Sequence, residues 1–472
     1  MSQPIEVILI GAGQRGHEAY GQYILDHPNQ FRLVAVAEPN AQRRVATATA
    51  HNIPAERQYA NWKTLLDETH SAQAAIIATQ DHQHTAPTVA ALQGGYDVLL
   101  EKPMANRRDA CMQLVQTAEN TGRLLQIGHV LRYTPTIQRI RALLTAGTLG
   151  DIVTIEHHEY VSFWHMAHSY VRGNWRNTAE TSPMILAKCC HDFDLLQWFL
   201  GRECVRLSSF GSLQQFRRER APAGVPERCT DGCPVGDTCP YNAVNIYLEL
   251  EPLLRELASV SAPEFRLLAR LALTRPGSAA LRVLSLFIPR LRYLTDYHGW
   301  PRSVISTEPG QAALRQALET GPYGRCVYHC DNDVVDNQVV ALEFEGGISA
   351  TLTMQGHSHR EGRFMRWQGT RATLFVRLNM FSSELEVHDH RTRKVTRYRN
   401  WHRPGDGHGG GDTGLMEAFE QAIRGENSQH LTTARDALES HLLAFAAEEA
   451  RLSGKVVDMR AYRETAWNAT RL

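Results

Sequence analysis

An apolar run, Ile5-Glu-Val-Ile-Leu-Ile10, leads straight into Gly11-Ala-Gly13-Gln-Arg-Gly16, and a helical pattern from about Arg15 to Asp26 follows. Three glycines at this spacing, between a strand and a helix, restrict the start of the chain more than any other feature. Gly11 permits a tight turn. Gly13 lets backbone approach a pyrophosphate, and Gly16 lets the helix pack against the strand. The helix N-terminus, opened by Gln14 and Arg15, presents free N–H groups and a partial positive charge to the phosphates. A second apolar stretch, Phe31–Ala37, closes on Glu38. A carboxylate there accepts hydrogen bonds from ribose hydroxyls and repels a 2′-phosphate. NAD is therefore expected rather than NADP, with Arg43 and Arg44 nearby pulling the other way.

The chain has 472 residues, enough for two or three domains. To about residue 128, strands near 31–37, 74–79, 96–100 and 124–127 alternate with helices near 43–51, 85–94 and 107–121. That alternation implies a parallel sheet with helices on both faces. From residue 129 the pattern changes. A helix near 134–146 precedes a strand near 152–161, a loop rich in His, Trp and Arg, and an amphipathic segment near 183–200. Residues 339–344 and 348–354 alternate like a hairpin, and short strands follow near 364–368, 373–377, 384–388 and 394–398. A helix near 433–453 closes the pattern. The expected fold is an α/β Rossmann domain, 1–128, followed by an α+β domain, 129–472, with a large open, mostly antiparallel sheet. Two parts of the second domain stand apart: a cysteine-rich segment, 226–241, and a helical insertion from about 250 to 300. In the insertion, Leu and Arg recur at helical spacing, interrupted by Pro263, Pro276 and Pro289.

Formal net charge is zero, so neither nucleic acid nor an anionic membrane is an expected partner. No uncharged apolar run approaches bilayer length. No secretory signal is evident, so a cytoplasmic location is expected, with the nine cysteines as thiols or metal ligands rather than disulfides.

A strand ending in Glu101-Lys102-Pro103 after a Rossmann half resembles the Gfo/Idh/MocA oxidoreductases. Ala78-Thr-Gln-Asp-His-Gln-His84 resembles the family's loop beneath the nicotinamide, which marks Thr79 and His84, with Glu101 and Lys102, as cofactor residues. Gly128-His-Val-Leu-Arg-Tyr133 resembles the crossover into the second domain and marks Arg132 and Tyr133 as substrate candidates. Cys190-His191-Asp-Phe-Asp194-Leu-Leu-Gln-Trp-Phe-Leu-Gly201 resembles the helix that carries the catalytic histidine. The resemblance implies hydride transfer between nicotinamide and a secondary alcohol of a sugar or polyol. Some relatives instead hydrolyse or eliminate glycosides through transient oxidation of the sugar. The family also implies a homo-oligomer, dimer or tetramer, through the open sheet. A non-catalytic dinucleotide-binding sensor is a third reading, against which intact Lys102 and His191 argue.

Oxidising an alcohol needs a base for the hydroxyl proton. His191 is the candidate acid/base, because a histidine titrates near neutrality. Lys102 would stabilise the developing alkoxide. Where many family members carry Asp, this chain has Ala187. Lys188, three residues before His191 and on a similar helix face, is a third catalytic candidate. Asp192 adjoins the histidine and is a substrate candidate. So are Arg172 and Trp175 in His168–Asn177, and His408 in the flexible turn Gly407–Asp412.

Cys229, Cys233 and Cys239 lie within eleven residues, two of them followed by proline. Thiolates so presented suit a structural tetrahedral zinc, with Cys326, Cys330 or a histidine as fourth ligand. An iron–sulfur cluster and free thiols are the alternative readings.

Overall fold

The computed structural model describes residues 3–68, 72–288, 291, 297–402, 407–426 and 431–469. Two sheets organise them. The first holds β1 (Ile5–Ile10), β2 (Phe31–Ala37), β3 (Gln58–Tyr59), β4 (Ala74–Ile77), β5 (Asp97–Leu100) and β6 (Leu125–Ile127), in the order β3-β2-β1-β4-β5-β6. Every pairing is parallel. These strands are short, continuous apolar runs because both faces are covered; all four residues of β4 are buried. The strand order reverses beside β1, so the glycine turn at its C-terminal end opens into the crevice where such sheets bind ligands.

The second sheet runs β14-β13-β12-β11-β7-β10-β9-β8-β15. Its strands are β7 (Ile152–Ser162), β8 (Cys204–Ser212), β9 (Asn337–Phe344), β10 (Ile348–Ser358), β11 (Gly362–Gly369), β12 (Ala372–Asn379), β13 (Ser382–Asp389), β14 (Val395–Trp401) and β15 (Val457–Asp458). Only β7 and β10 pair in parallel. Alternation sets the inner face: Ile348, Ala350, Leu352 and Met354 of β10 are buried, while Ser349 and Thr351 face out. The helices Cys190–Leu200 and Ala434–Ser453 pack together over the inner side. On the outer face the register aligns Phe210, Val339, Thr353, His158 and Phe364 across five strands, and Phe210 is 71% exposed.

The end of the chain returns to the first sheet. Leu415, Met416 and Phe419 of the Gly411–Ile423 helix join the apolar layer formed by Ile5, Val7 and Leu9. Ile127 donates its backbone N–H to Thr432 at 2.8 Å, and Met104 donates to His441 Nε2 at 2.8 Å.

Several local expectations change. The stretch after β7 is not a loop. It forms the helical turns Phe163–His165 and Met166–Arg172, and all seven residues of the second are buried. Its aromatics are packed inside, so they show no period-3.6 contrast for a sequence reading to detect. The segment near 183–200 divides into Met184–Ala187 and Cys190–Leu200. In the insertion, Pro263 and Pro276 do not interrupt helices. They occupy the first turns of Pro263–Ala272 and Arg275–Ser285, where a missing N–H costs nothing. The helix Glu251–Val260 precedes them, where Leu253–Leu257 has helical spacing in the sequence. Pro289, and residues 290 and 292–296 of the expected helical insertion, lie outside the described residues.

Candidate active site

The glycine turn has the shape its sequence requires. Gly11 adopts φ +91°, and a Cβ there would lie 2.6 Å from the Ala78 carbonyl oxygen. A Cβ on Gly16 would lie 2.0 Å from the Gly11 carbonyl oxygen. Both positions therefore exclude a side chain. At Gly13 a Cβ would meet nothing within 4 Å, so this backbone faces open space. Gln14 opens a π-helical turn, Gln14–Gly21, directly behind it. The Thr79 hydroxyl, at the end of β4, is buried without a partner. An open backbone, a helix start and an unpaired buried hydroxyl together fit a dinucleotide. Glu38 is buried; its carboxylate accepts from Ala12 N–H at 2.8 Å and Asn40 N–H at 2.9 Å. The acid thus braces the turn. Arg44 donates to the Glu38 backbone carbonyl at 2.6 Å.

Arg15 and Glu101, both expected to meet the cofactor, meet each other, with Nε to Oε1 at 2.6 Å. Arg15 also forks onto Asp412 at 2.8 and 3.1 Å, and Tyr20 donates to Glu101 at 2.5 Å. Burial opposes ionisation of Glu101, but Arg15, Tyr20 and Lys102 hold it below the usual carboxylate range. His408, at φ 48°, lies 3.2 Å from both oxygens of Asp412. The C-terminal glycine loop is thereby tied to the cofactor turn.

Lys102 follows β5 and donates from Nζ to the Ala187 carbonyl at 3.0 Å, with the Trp175 ring centroid 6.0 Å away. Trp175 Nε1 donates to both Asp81 oxygens at 3.1 Å, and Ser182 donates to the same carboxylate at 2.7 Å. His84 is buried, with Nδ1 2.7 Å from the Pro103 carbonyl and Nε2 3.1 Å from that of Thr79. It pins the turn carrying Lys102 to the end of β4.

His191 sits at the start of its helix with Nδ1 3.5 Å from His129 Nδ1. His129 in turn lies edge-on to His441, centroids 5.6 Å apart. Burial first, then Lys102, His129, Arg363 and His408, push the His191 pKa well below its ordinary value. The histidine is neutral at pH 7. Its expected titration near neutrality does not hold, because a buried imidazolium beside these cations is unfavourable.

Other candidates are committed elsewhere. Lys188 does not share a helix face with His191, because the helix breaks at Lys188 and Cys189. Its ammonium pairs with Glu361 at 2.9 Å and Glu159 at 3.2 Å. Burial disfavours that charge, but the two acids raise its pKa, so Lys188 is a fixed cation and not a base. Asp192 is wholly buried and accepts from His157 Nε2 and Arg363 Nε, both at 2.7 Å. Arg132 makes a buried two-pronged bond to Asp194 at 2.7 and 2.6 Å. Tyr133 lies with Gln126 and Thr432. Arg172 is buried among the cysteines. Lys188, Asp192, Arg132, Tyr133 and Arg172 are thus engaged by groups inside the protein, although one terminal nitrogen of Arg172 has no partner. Lys102, Trp175 and His191 remain together, with His408 near enough to act on His191 electrostatically. Asp81, His129, His441, Glu361 and Arg363 complete the surroundings. Asp81 and His129 lie within segments singled out from sequence; the other three carry no local signal.

Cys229 and Cys239 lie near Cys326 and Cys330, brought together by the backbone bridge between Arg228 and Arg325. No helix among the described residues is long and apolar enough to cross a membrane.

Two family profiles match the chain: an oxidoreductase family, NAD-binding Rossmann fold, over residues 5–129, and that family's C-terminal α/β domain over residues 141–250. Inositol 2-dehydrogenase 1 of Saccharopolyspora erythraea is 32% identical over 136 residues, 29% of this chain and 37% of its own. The 2,7-anhydro-N-acetylneuraminate hydratase of Mediterraneibacter gnavus is 26% identical over 196 residues, 41% of this chain and 48% of its own. The matched segments thus span half or less of these relatives. Among solved structures, an inositol dehydrogenase homologue from Azotobacter vinelandii, complexed with NAD+, superposes with a TM-score of 0.63 at 16% identity, covering 97% of this chain and 98% of its own.

Proposed function

The chain belongs to the Gfo/Idh/MocA oxidoreductase family, and on that premise we propose that it oxidises a secondary alcohol of a sugar, sugar derivative or polyol with NAD. The observation that carries this reading is the juxtaposition of the Lys102 ammonium and the neutral His191 beside an open glycine cradle. When bound, the nicotinamide supplies a two-electron acceptor. Lys102, anchored on Ala187 and backed by Trp175, donates a hydrogen bond to the reacting oxygen and stabilises its developing negative charge. Neutral His191 is already in the proton-accepting form and takes the hydroxyl proton. His129 holds the ring from behind.

Glu38 favours NAD over NADP, since its buried charge braces the turn where a 2′-phosphate would approach. Glu38→Gln keeps the volume and weakens that repulsion. NAD/NADP selectivity, measured as the ratio of kcat/KM values, is expected to fall about tenfold, ~1.4 kcal/mol. An unchanged ratio would remove Glu38 from cofactor choice.

A second reading, a redox-neutral cycle, is favoured by the hydratase relative and by the low proton affinity of His191. A panel of polyols, sugars, sugar acids and glycosides, followed for both NADH release and exchange of a sugar C–H with solvent, separates the two. NADH in proportion to product supports the dehydrogenase reading; exchange with product but no NADH supports the other. The outer row that runs from exposed Phe210 and Val339 to half-buried Phe364 fits self-association of two copies through the sheet. Sedimentation of Phe210→Asp against the parent tests this, with a monomer expected.

A further inference from the structure

Residues 226–241 contain no strand and no helix, yet they are fixed against the segment 324–330. Cys229 donates its N–H to the Gly324 carbonyl at 2.9 Å, and Cys326 donates to the Glu227 carbonyl at 2.8 Å. Turns at Cys233–Gly236 and Val235–Cys239 bring the remaining thiols to the same place. Four cysteines, Cys229, Cys233, Cys239 and Cys326, line one cavity of about 20 Å³, together with Arg172 and Tyr241. Cys330 is different: its thiol donates to the Cys326 carbonyl at 3.3 Å.

Arg172 supplies an independent observation. It is 1% exposed. Its Nε and one terminal nitrogen donate to the carbonyls of Arg325 and Tyr241 at 2.7 Å, and the same terminal nitrogen lies 3.6 Å from Cys229 Sγ. The other terminal nitrogen is buried with no partner. No carboxylate among the described residues forms an ion pair with it. A buried guanidinium without a counter-charge is strongly unfavourable. Among the described residues the ionisable groups beside it are the cysteine thiols and the Tyr247 hydroxyl; burial keeps Tyr247 protonated, so the counter-charge falls to thiolates.

We propose that Cys229, Cys233, Cys239 and Cys326 bind one zinc ion, which staples the 226–241 segment to the 324–330 turn and whose thiolates neutralise Arg172. Four thiolates around a divalent ion carry two net negative charges, and Arg172 offsets one of them. The cavity, about 20 Å³ as the side chains stand, is room for one or two water-sized bodies, which matches a single ion better than a four-iron cube. As they stand, the thiols surround the space without closing on it, and no three His, Cys, Asp or Glu side chains among the described residues are grouped to hold a metal. Closure to the ~2.3 Å of a zinc–sulfur bond requires the side chains to turn inward. The role is structural, because four protein ligands leave no open position.

The test uses the full chain, purified without chelator under reducing conditions and assayed for metals. One zinc per chain is expected. Cobalt(II) exchanged into the site gives thiolate-to-cobalt charge-transfer absorption. Cys229→Ser and Cys326→Ser lose the ion, whereas Cys330→Ser retains it. Should a ligand variant fail to fold, titration of the unaltered protein with a mercurial must release zinc in step with about four thiols. No zinc after reconstitution with zinc chloride, iron with acid-labile sulfide, or loss of zinc from Cys330→Ser would each overturn the assignment.

Discussion

Acidification should destabilise this protein at a pH where most of its carboxylates are still ionised, because of four buried histidines. Burial lowers His129 to about 4 and His441 to about 3, and lowers His191 and His168 well below the ordinary value of 6.5. The geometry explains His441. Its Nδ1 lies 2.8 Å from the Ala437 carbonyl and its Nε2 accepts from Met104 N–H, so a second proton would face another N–H. In the unfolded chain each histidine takes a proton below about pH 6.5; in the folded chain it does not. Stability therefore falls by ~1.4 kcal/mol per pH unit for each, from about 6.5 downward. Between pH 6.5 and 5 the four lose ~8 kcal/mol. Two acids act in the opposite sense. Burial pushes Glu159 up to about 7 and Glu256 up to about 8, so the folded chain holds protons that the unfolded chain releases. They return ~4 kcal/mol over the same interval, and the net loss is ~4 kcal/mol. That is a large part of the 5–15 kcal/mol by which domains are typically stable. Urea unfolding followed by tryptophan fluorescence, at constant ionic strength from pH 7 to 5, measures it. His441→Gln keeps an acceptor for Met104 and should reduce the loss by ~2 kcal/mol. Stability that is flat or rises toward pH 5, or a variant with the parent's slope, would refute the reasoning.

Two further outcomes follow from the site. Lys102→Met should lower kcat by about 10²–10³-fold while calorimetry shows NAD+ binding within a few-fold of the parent; equal losses in both would make Lys102 a cofactor ligand only. Asp194→Asn leaves the Arg132 guanidinium buried without its charge partner and should cost about 3–5 kcal/mol of unfolding free energy, whereas replacing both residues with leucine should recover most of it.

The glycine turn was legible because its demands are local: backbone at φ +91° and a 2.0 Å approach admit no other residue. The sheets were legible for the same reason, since period-2 burial in β10 is written in the chain itself. The roles of Lys188, Asp192, Arg132 and Arg172 were not. Each partner is remote in sequence: Glu361, Arg363, Asp194 and the carbonyls of Arg325 and Tyr241. A charged residue in a motif looks the same whether it faces a cleft or a buried counter-ion. The histidine trio was invisible on the same ground, as His129 and His441 are brought together only by the returning C-terminal helix. The break at Lys188–Cys189 also had no marker, for neither Gly nor Pro stands there.

That returning segment bears on how the protein is made. The ribosome finishes the six parallel strands early, but Arg15 still lacks Asp412, β6 lacks Thr432, and the Met104 amide lacks His441. At about 5–20 residues per second, those partners emerge roughly 15–60 s later. Over that interval the layer formed by Ile5, Val7 and Leu9 awaits Leu415, Met416 and Phe419. The nascent first quarter thus carries an uncovered apolar face until the returning helix emerges, and Arg15 at its glycine turn gains its second carboxylate only once Asp412 is made.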